Sequence, residues 1–199
     1  MTQGQWARLC SEQPQSQRPS RYGAGIAIAG RHITDVHPVE QVDWHLAARV
    51  LHQHGMALPS EAMWEYACRG GRTTPWSPGQ HPEDLHGHAN VLDAASSRAV
   101  AEWGRGEAFD DGHIVHAPVG SFAPNAFGLY DMHGNVFEWC ADVYGPCGAE
   151  PRTDGDRVNR GGSFDNPAAM ARCSDRSNTP PDGRDGSLGL RAARPLRRR

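Results

Sequence analysis

The chain has 199 residues, of which 38% are hydrophobic, with 23 glycines, 15 prolines and a formal net charge of −3. That length suits one domain able to bury a core without covalent staples. The small negative charge gives no footing to a nucleic-acid or membrane-surface partner, and no apolar run approaches the length of a membrane span.

In chain order, residues 2–10 read as a short helix with Trp6 and Leu9 on one face. Residues 11–20, rich in Gln, Pro and Ser, read as loop, and 23–33 as one weak, glycine-broken strand. Residues 43–54 predict a helix capped by Asp43, with Trp44, Leu46, Ala47, Val50 and Leu51 on its apolar face and Gly55 ending it. A second helix lies within 58–71: Ser60 is its N-cap, Glu61 suits the positive N-terminus, and Gly70-Gly71 stop it. Met63, Trp64 and Ala67 are its expected buried stripe. Residues 73–117 show no sustained period, and long loops in a compact domain are functional or ion-ordered. Short strands at 137–140, 158–164 and 188–193 complete a small twisted sheet. The whole reads as one domain over 1–196, with Arg197-Arg198-Arg199 as a solvated basic tail.

The cysteines are Cys10, Cys68, Cys140, Cys147 and Cys173, an odd count without a CxxC pair. Together with a start that shows no signal peptide, this predicts reduced thiols in a cytoplasmic setting. The pairs His52/His54 and His86/His88 fall in a helix and a loop, where i,i+2 residues do not face one way, so neither reads as a metal site.

Four segments carry more than composition. They are Leu58-Pro59-Ser60-Glu61-Ala62-Met63-Trp64-Glu65-Tyr66-Ala67-Cys68-Arg69-Gly70-Gly71 with Pro75-Trp76; 118–132 running into Gly134-Asn135-Val136-Phe137-Glu138-Trp139; Arg160-Gly161-Gly162-Ser163-Phe164; and Arg172-Cys173-Ser174-Asp175-Arg176 leading to Gly189-Leu190-Arg191. In this order and spacing they resemble the formylglycine-generating enzyme / sulfatase-modifying-factor family. The resemblance implies an α+β, C-type-lectin-like fold with a small twisted antiparallel sheet, two main helices and much irregular loop. It begins in the family's middle: Met1-Thr2-Gln3-Gly4-Gln5-Trp6 resembles a helix start that normally follows N-terminal strands. That would leave 188–193 with an open edge, inviting self-association or completion by a partner chain.

The resemblance also implies oxygen-ligand sites for one or two Ca²⁺ ions. The first set is Asp131, the backbone oxygens of Gly134 and Val136, and Glu138; the second is Asn90, the Val91 carbonyl, Asp111 and the His113 carbonyl. Carboxylates and carbonyls suit a hard cation and do not suit copper. The competing reading has Asp131 and Glu138 capping turns or pairing with arginines.

The family's oxidases hold copper(I) with two cysteines, the first lying three residues past the serine of Gly-Gly-Ser. Here that place is Asn166, and no cysteine occurs between Ser163 and Cys173, which aligns with a structural cysteine. Soft copper(I) needs thiolates, so the sequence argues against copper and against formylglycine formation. In secreted relatives Cys68 would bridge to a residue after Gly-Phe-Arg, but Ala192 stands there. The His-rich domain of the related sulfoxide synthases is missing, and no Gly-x-Ser-x-Gly elbow marks a hydrolase.

What remains is a surface. Residues 164–188 interleave variable positions with framework ones, as in the diversified lectin-fold proteins they resemble, and loops on a rigid sheet can change without unfolding it. Phe164, Asp165, Asn166, Arg172, Asp175, Arg176, Asn178, Asp182 and Arg184 are the candidate ligand-binding residues. Arg172, Arg176 and Arg184 read first as salt-bridge framework and second as an anion clamp. The expected function is a non-oxidase module binding a protein or small molecule. The alternatives are an oxidoreductase acting on a cysteine or thiol, and a partner-completed accessory subunit.

Overall fold

The computed structural model describes residues 1–10, 27–28, 31–146 and 152–194. The loop expected over 11–20, the first part of the weak strand, Cys147 and the basic tail lie outside the described residues.

Helix α1 (Gln3–Leu9) starts on a capping box between Thr2 and Gln5, and Trp6 is fully buried beneath it. Helix α2 (Trp44–Gln53) is capped by Asp43, whose Oδ1 accepts from Leu46 N at 2.8 Å. It buries Leu46, Ala47, Val50 and Leu51. Helix α3 (Glu61–Arg69) is capped by Ser60 and ends on Gly70 in the left-handed region at φ 55°. Its inward residues are Trp64 and Cys68, an i,i+4 pair. Met63, expected in the stripe, is 55% exposed: the helix is rotated so that 64 and 68 face inward. The stretch expected to be irregular holds one more helix, α4 (Ala94–Ala99), capped by Asp93, and two 3₁₀ turns.

Between α1 and α2, strands β1 (Ala27–Ile28) and β2 (Arg31–His32) pair as a hairpin where one strand was expected. The main sheet contains β3 (Phe137–Val143), β4 (Arg157–Arg160), β5 (Ser177–Thr179) and β6 (Leu188–Gly189) in the order β5-β4-β3-β6. β3–β4 and β4–β5 are antiparallel, while β6 lies parallel to β3, so the sheet is mixed at that edge.

The expectation of an open edge at 188–193 is corrected. Gly189 bridges β3 on one side and Glu40 on the other. Ala57 and Ala193 exchange hydrogen bonds of 2.9 and 2.8 Å, and the Met1 amino group donates to Leu190 O at 2.9 Å. Short stretches of the same chain satisfy backbone groups that an edge would leave free.

One core cluster lies between α1, α2 and the sheet, around Trp6, Leu51, Trp139 and Leu190. A second joins α3 to the sheet through Trp64, Cys68, Met132, Cys140, Val158 and Cys173. No helix among the described residues is long and apolar enough to cross a membrane.

Candidate functional site

The acidic residues of α3 face arginines. Arg160, on β4, is fully buried; it pairs with Glu61 at 3.2 Å and with Glu65, and donates to the Asp175 carbonyl. Arg176 grips Glu61 with two bonds of 2.6 and 2.7 Å and lies over the Tyr144 ring. Arg184 pairs with Asp43 at 2.5 Å. Arg176 and Arg184 are therefore both engaged in ion pairs with helix-end carboxylates, Glu61 and Asp43. Arg172 is 46% exposed and reaches Asp175 only at 3.4 Å.

The loop from Asn90 to Glu138 is built differently. Val91 N donates to Asp111 Oδ2 at 3.0 Å and His113 N to Asp111 Oδ1 at 2.9 Å, so Asn90-Val91 and Asp111-His113 meet. Asn90 donates its amide to Val115 O and Asn135 Oδ1, while its Oδ1 is buried and accepts no hydrogen bond. Burial pushes the Asp111 carboxyl up to about 7, with the Asp93 and Asp110 charges adding and the two N–H donors opposing. Asn90 forms an isolated bridge with Gly134, where a side chain would meet the Asn90 carbonyl oxygen at 1.9 Å, so only glycine permits this approach.

Across that bridge lies the other predicted set. Asp131 takes φ 54°, and its Oδ2 accepts from Gly120 N at 2.7 Å. Its Oδ1 is buried and accepts nothing, and burial raises its pKa above the usual carboxylate range. Glu138 is fully engaged: Trp64 Nε1 donates to it at 2.7 Å, and Arg191 binds both of its oxygens at 2.9 Å. Arg191 also donates to the Tyr130 and Asp131 carbonyls. Arg191 thus joins Glu138 to the Asp131 backbone, and an arginine already answers Glu138. Each set nonetheless contains one buried side-chain oxygen without a donor, which a hard cation would satisfy. On that test the residues fit calcium, the Asn90/Asp111 set better than the other.

Past Ser163 the structure shows oxygens. Ser163 Oγ is buried and lies 2.5 Å from Asp165 Oδ1 and 2.6 Å from Asn166 Oδ1. Burial raises the Asp165 carboxyl. Phe164, expected to bind ligand, packs in the core with Ile33 and Val115, because β4 delivers it inward beneath the loop. Asn178, Asp182 and Arg184 remain exposed on the rim.

Sequence reasoning missed the meeting of Cys68, His133 and Cys173, whose ligand-type atoms all lie within 4.8 Å of one another. Cys68 does not approach the position of Ala192, which packs against the other core cluster. The Cys68 Sγ lies 3.6 Å from Cys173 Sγ. Its thiol hydrogen bond and His133 hold Cys173 well below the usual thiol range, while burial pushes Cys68 up. No short motif links residues 68, 133 and 173, so spacing gave no signal. A cavity of about 350 Å³ opens elsewhere, lined in part by His32, His37, Asp110, His113 and His116.

This geometry is that of a C-type-lectin-like domain, with arginine-pinned sheet and helix below and a long ion-suited loop above. Residues 1–196 match the Sulfatase-modifying factor enzyme 1-like domain, and the chain belongs to that family. It is 36% identical over 186 residues to the formylglycine-generating enzyme of Streptomyces coelicolor, covering 86% of this chain and 56% of that protein. It is 33% identical over 165 residues to the inactive C-alpha-formylglycine-generating enzyme 2 of Mus musculus, covering 78% of this chain and 50% of that protein. The chain spans about half the length of such curated relatives, between 44% and 62%. Among solved structures, Treponema denticola variable protein 1 superimposes with a TM-score of 0.76 at 24% identity, covering 98% of this chain and 82% of that one. PvdO from Pseudomonas aeruginosa gives 0.71 at 25% identity, covering 98% and 77%. These two likenesses bear on the fold.

Proposed function

We propose that the chain is a non-oxidase binding module of the sulfatase-modifying-factor family, ordered by one or two Ca²⁺ ions and presenting the rim of 164–188 to a protein or small-molecule ligand. The observation that carries this reading is Asn166. It stands where the family's oxidases place their first copper thiolate, and its Oδ1 lies 2.6 Å from Ser163 Oγ. The next thiol along the chain, Cys173, is buried and turned to Cys68. An oxygen-lined site does not hold copper(I).

Ca²⁺ would be held by Asn90, Val91, Asp111 and His113, and a second ion by Asp131, Gly134, Val136 and Glu138. Its part is charge neutralisation and loop order. The chain's own residues do the rest: Arg160 and Arg176 fix α3 to the sheet, and exposed Arg172, Asn178 and Asp182 offer polar contacts. Names of relatives on both sides, one called a formylglycine-generating enzyme and one called inactive, agree with family membership and leave the activity to this argument.

The test is turnover of a cysteine-containing peptide by copper(I)-loaded protein under oxygen, read by mass spectrometry. The expected result is unchanged peptide. Conversion of the cysteine to an aldehyde would return the oxidase reading to first place.

A further inference from the structure

We propose that Cys68, Cys173 and His133 form a buried zinc site that staples helix α3 to the segment following β4, separate from the oxygen-lined sites of the loop.

The distances match the ion. A tetrahedral zinc with Zn–S near 2.3 Å and Zn–N near 2.0–2.1 Å sets two sulfurs about 3.8 Å apart, and a sulfur and a nitrogen about 3.6 Å apart. Here the two sulfurs are 3.6 Å apart, and Cys68 Sγ is 3.8 Å from each ring nitrogen of His133. All three residues are buried, in helix α3, in the turn before β3 and in the segment after the 168–171 turn.

The histidine is prepared as a ligand. Ser77 N donates to its Nε2 at 3.0 Å, which makes Nε2 the lone-pair nitrogen and Nδ1 the donor to Ala171 O at 2.7 Å. A backbone carbonyl on the far nitrogen is the usual means of fixing the tautomer of a metal-bound imidazole. Zinc would displace the Ser77 N–H and hydroxyl from the Nε2 lone pair.

Charge and proton counts point the same way. The Cys68 thiol has one hydrogen and faces two acceptors, Met132 O at 3.4 Å and Cys173 Sγ at 3.6 Å. A lone thiolate in an apolar cluster of Trp64, Met132, Cys140 and Val158 is costly. Two thiolates with Zn²⁺ are neutral as a unit and need no counter-ion, and binding releases the thiol protons to solvent. The Met132 carbonyl, 3.4 Å from Cys68 Sγ, and the Ser77 hydroxyl, 2.9 Å from Nε2, offer oxygens for a fourth position.

The test uses the full chain, reduced and stripped of metal, titrated anaerobically with Co²⁺ and then Zn²⁺. One Co²⁺ per chain should give thiolate-to-cobalt absorption in the near ultraviolet, displaced by Zn²⁺ and not by Ca²⁺. Cys68→Ser and Cys173→Ser should abolish the band, His133→Gln should weaken it, and Cys10→Ser should keep it. Should the cysteine variants fail to fold, the wild-type chain still decides. Zn²⁺ must protect Cys68 and Cys173, and not Cys10, from alkylation as read by mass spectrometry. Absence of the band, absence of protection, binding of copper(I) alone, or a Cys68–Cys173 disulfide that persists with Zn²⁺ and a thiol reductant would each overturn the site.

Discussion

The two faces of this domain treat buried acid in opposite ways. Where α3 meets the sheet, Glu61, Glu65 and Glu138 all have arginines against them, from Arg160, Arg176 and Arg191. In the loop between Asn90 and Asp131, Asp111 and Asp131 have no described ion pair, and each set keeps a buried oxygen without a donor. The lower face carries its own cations; on the function proposed above, the upper face would take one from solution. The difference separates a sheet fixed by its own side chains from an irregular loop whose buried oxygens would be answered by an ion.

The largest break of this contrast is Arg160→Met. It removes the buried guanidinium that joins Glu61 to Glu65 and leaves each with only its second arginine, Arg176 and Arg69, and should cost on the order of 3 kcal/mol, read by denaturant unfolding. A loss below about 0.5 kcal/mol would mean that the arginine framework does not hold the fold. A paired comparison sharpens the point. Glu138→Gln breaks a satisfied pair and should cost about 2 kcal/mol in EDTA. Asp131→Asn keeps the Gly120 bond and removes an unmatched charge, so in EDTA near pH 7.5 it should leave the melting point unchanged or higher. Equal losses in the two variants would sink the contrast.

The pH dependence follows from Asp111. Its folded pKa, about 7, lies above the ordinary carboxylate value of 3.8, so the folded state binds the extra proton between them. In EDTA its contribution to stability is present below about pH 4 and is lost as the pH rises through 7. Ca²⁺, binding the ionised form, should flatten that slope; a slope that Ca²⁺ leaves unchanged would place Asp111 outside the ion site. The smallest effect is Arg184→Ala. Its pair with Asp43 is half exposed and should be worth no more than about 0.5 kcal/mol in thermal unfolding.

The helices were legible because their caps are local. Asp43, Ser60 and Gly70 each act within four residues, and each sits where the sequence put it. α4 was not legible: six residues are too few to show a period. Met63 and Trp64 are neighbours at the margin of one stripe, and only the packing of α3 decides which turns inward. The closed edge at 188–193 depends on Glu40, Ala57 and Met1, which no pattern connects to it. The oxygen ligands could be chosen by family resemblance, but the capture of Glu138 by Arg191 is a contact across 53 residues. Phe164 counts among the candidate ligand residues because it opens the 164–188 binding stretch, yet the chain turns it into the core.

The most direct test of the account is a thermal melt of the whole chain in EDTA and in Ca²⁺ at about a hundred times the dissociation constant, repeated for Asn90→Ala. The account predicts a rise of roughly 5–10 °C with Ca²⁺, equivalent to about 2.7 kcal/mol, largely lost in the variant. An identical midpoint in EDTA and Ca²⁺ would contradict it.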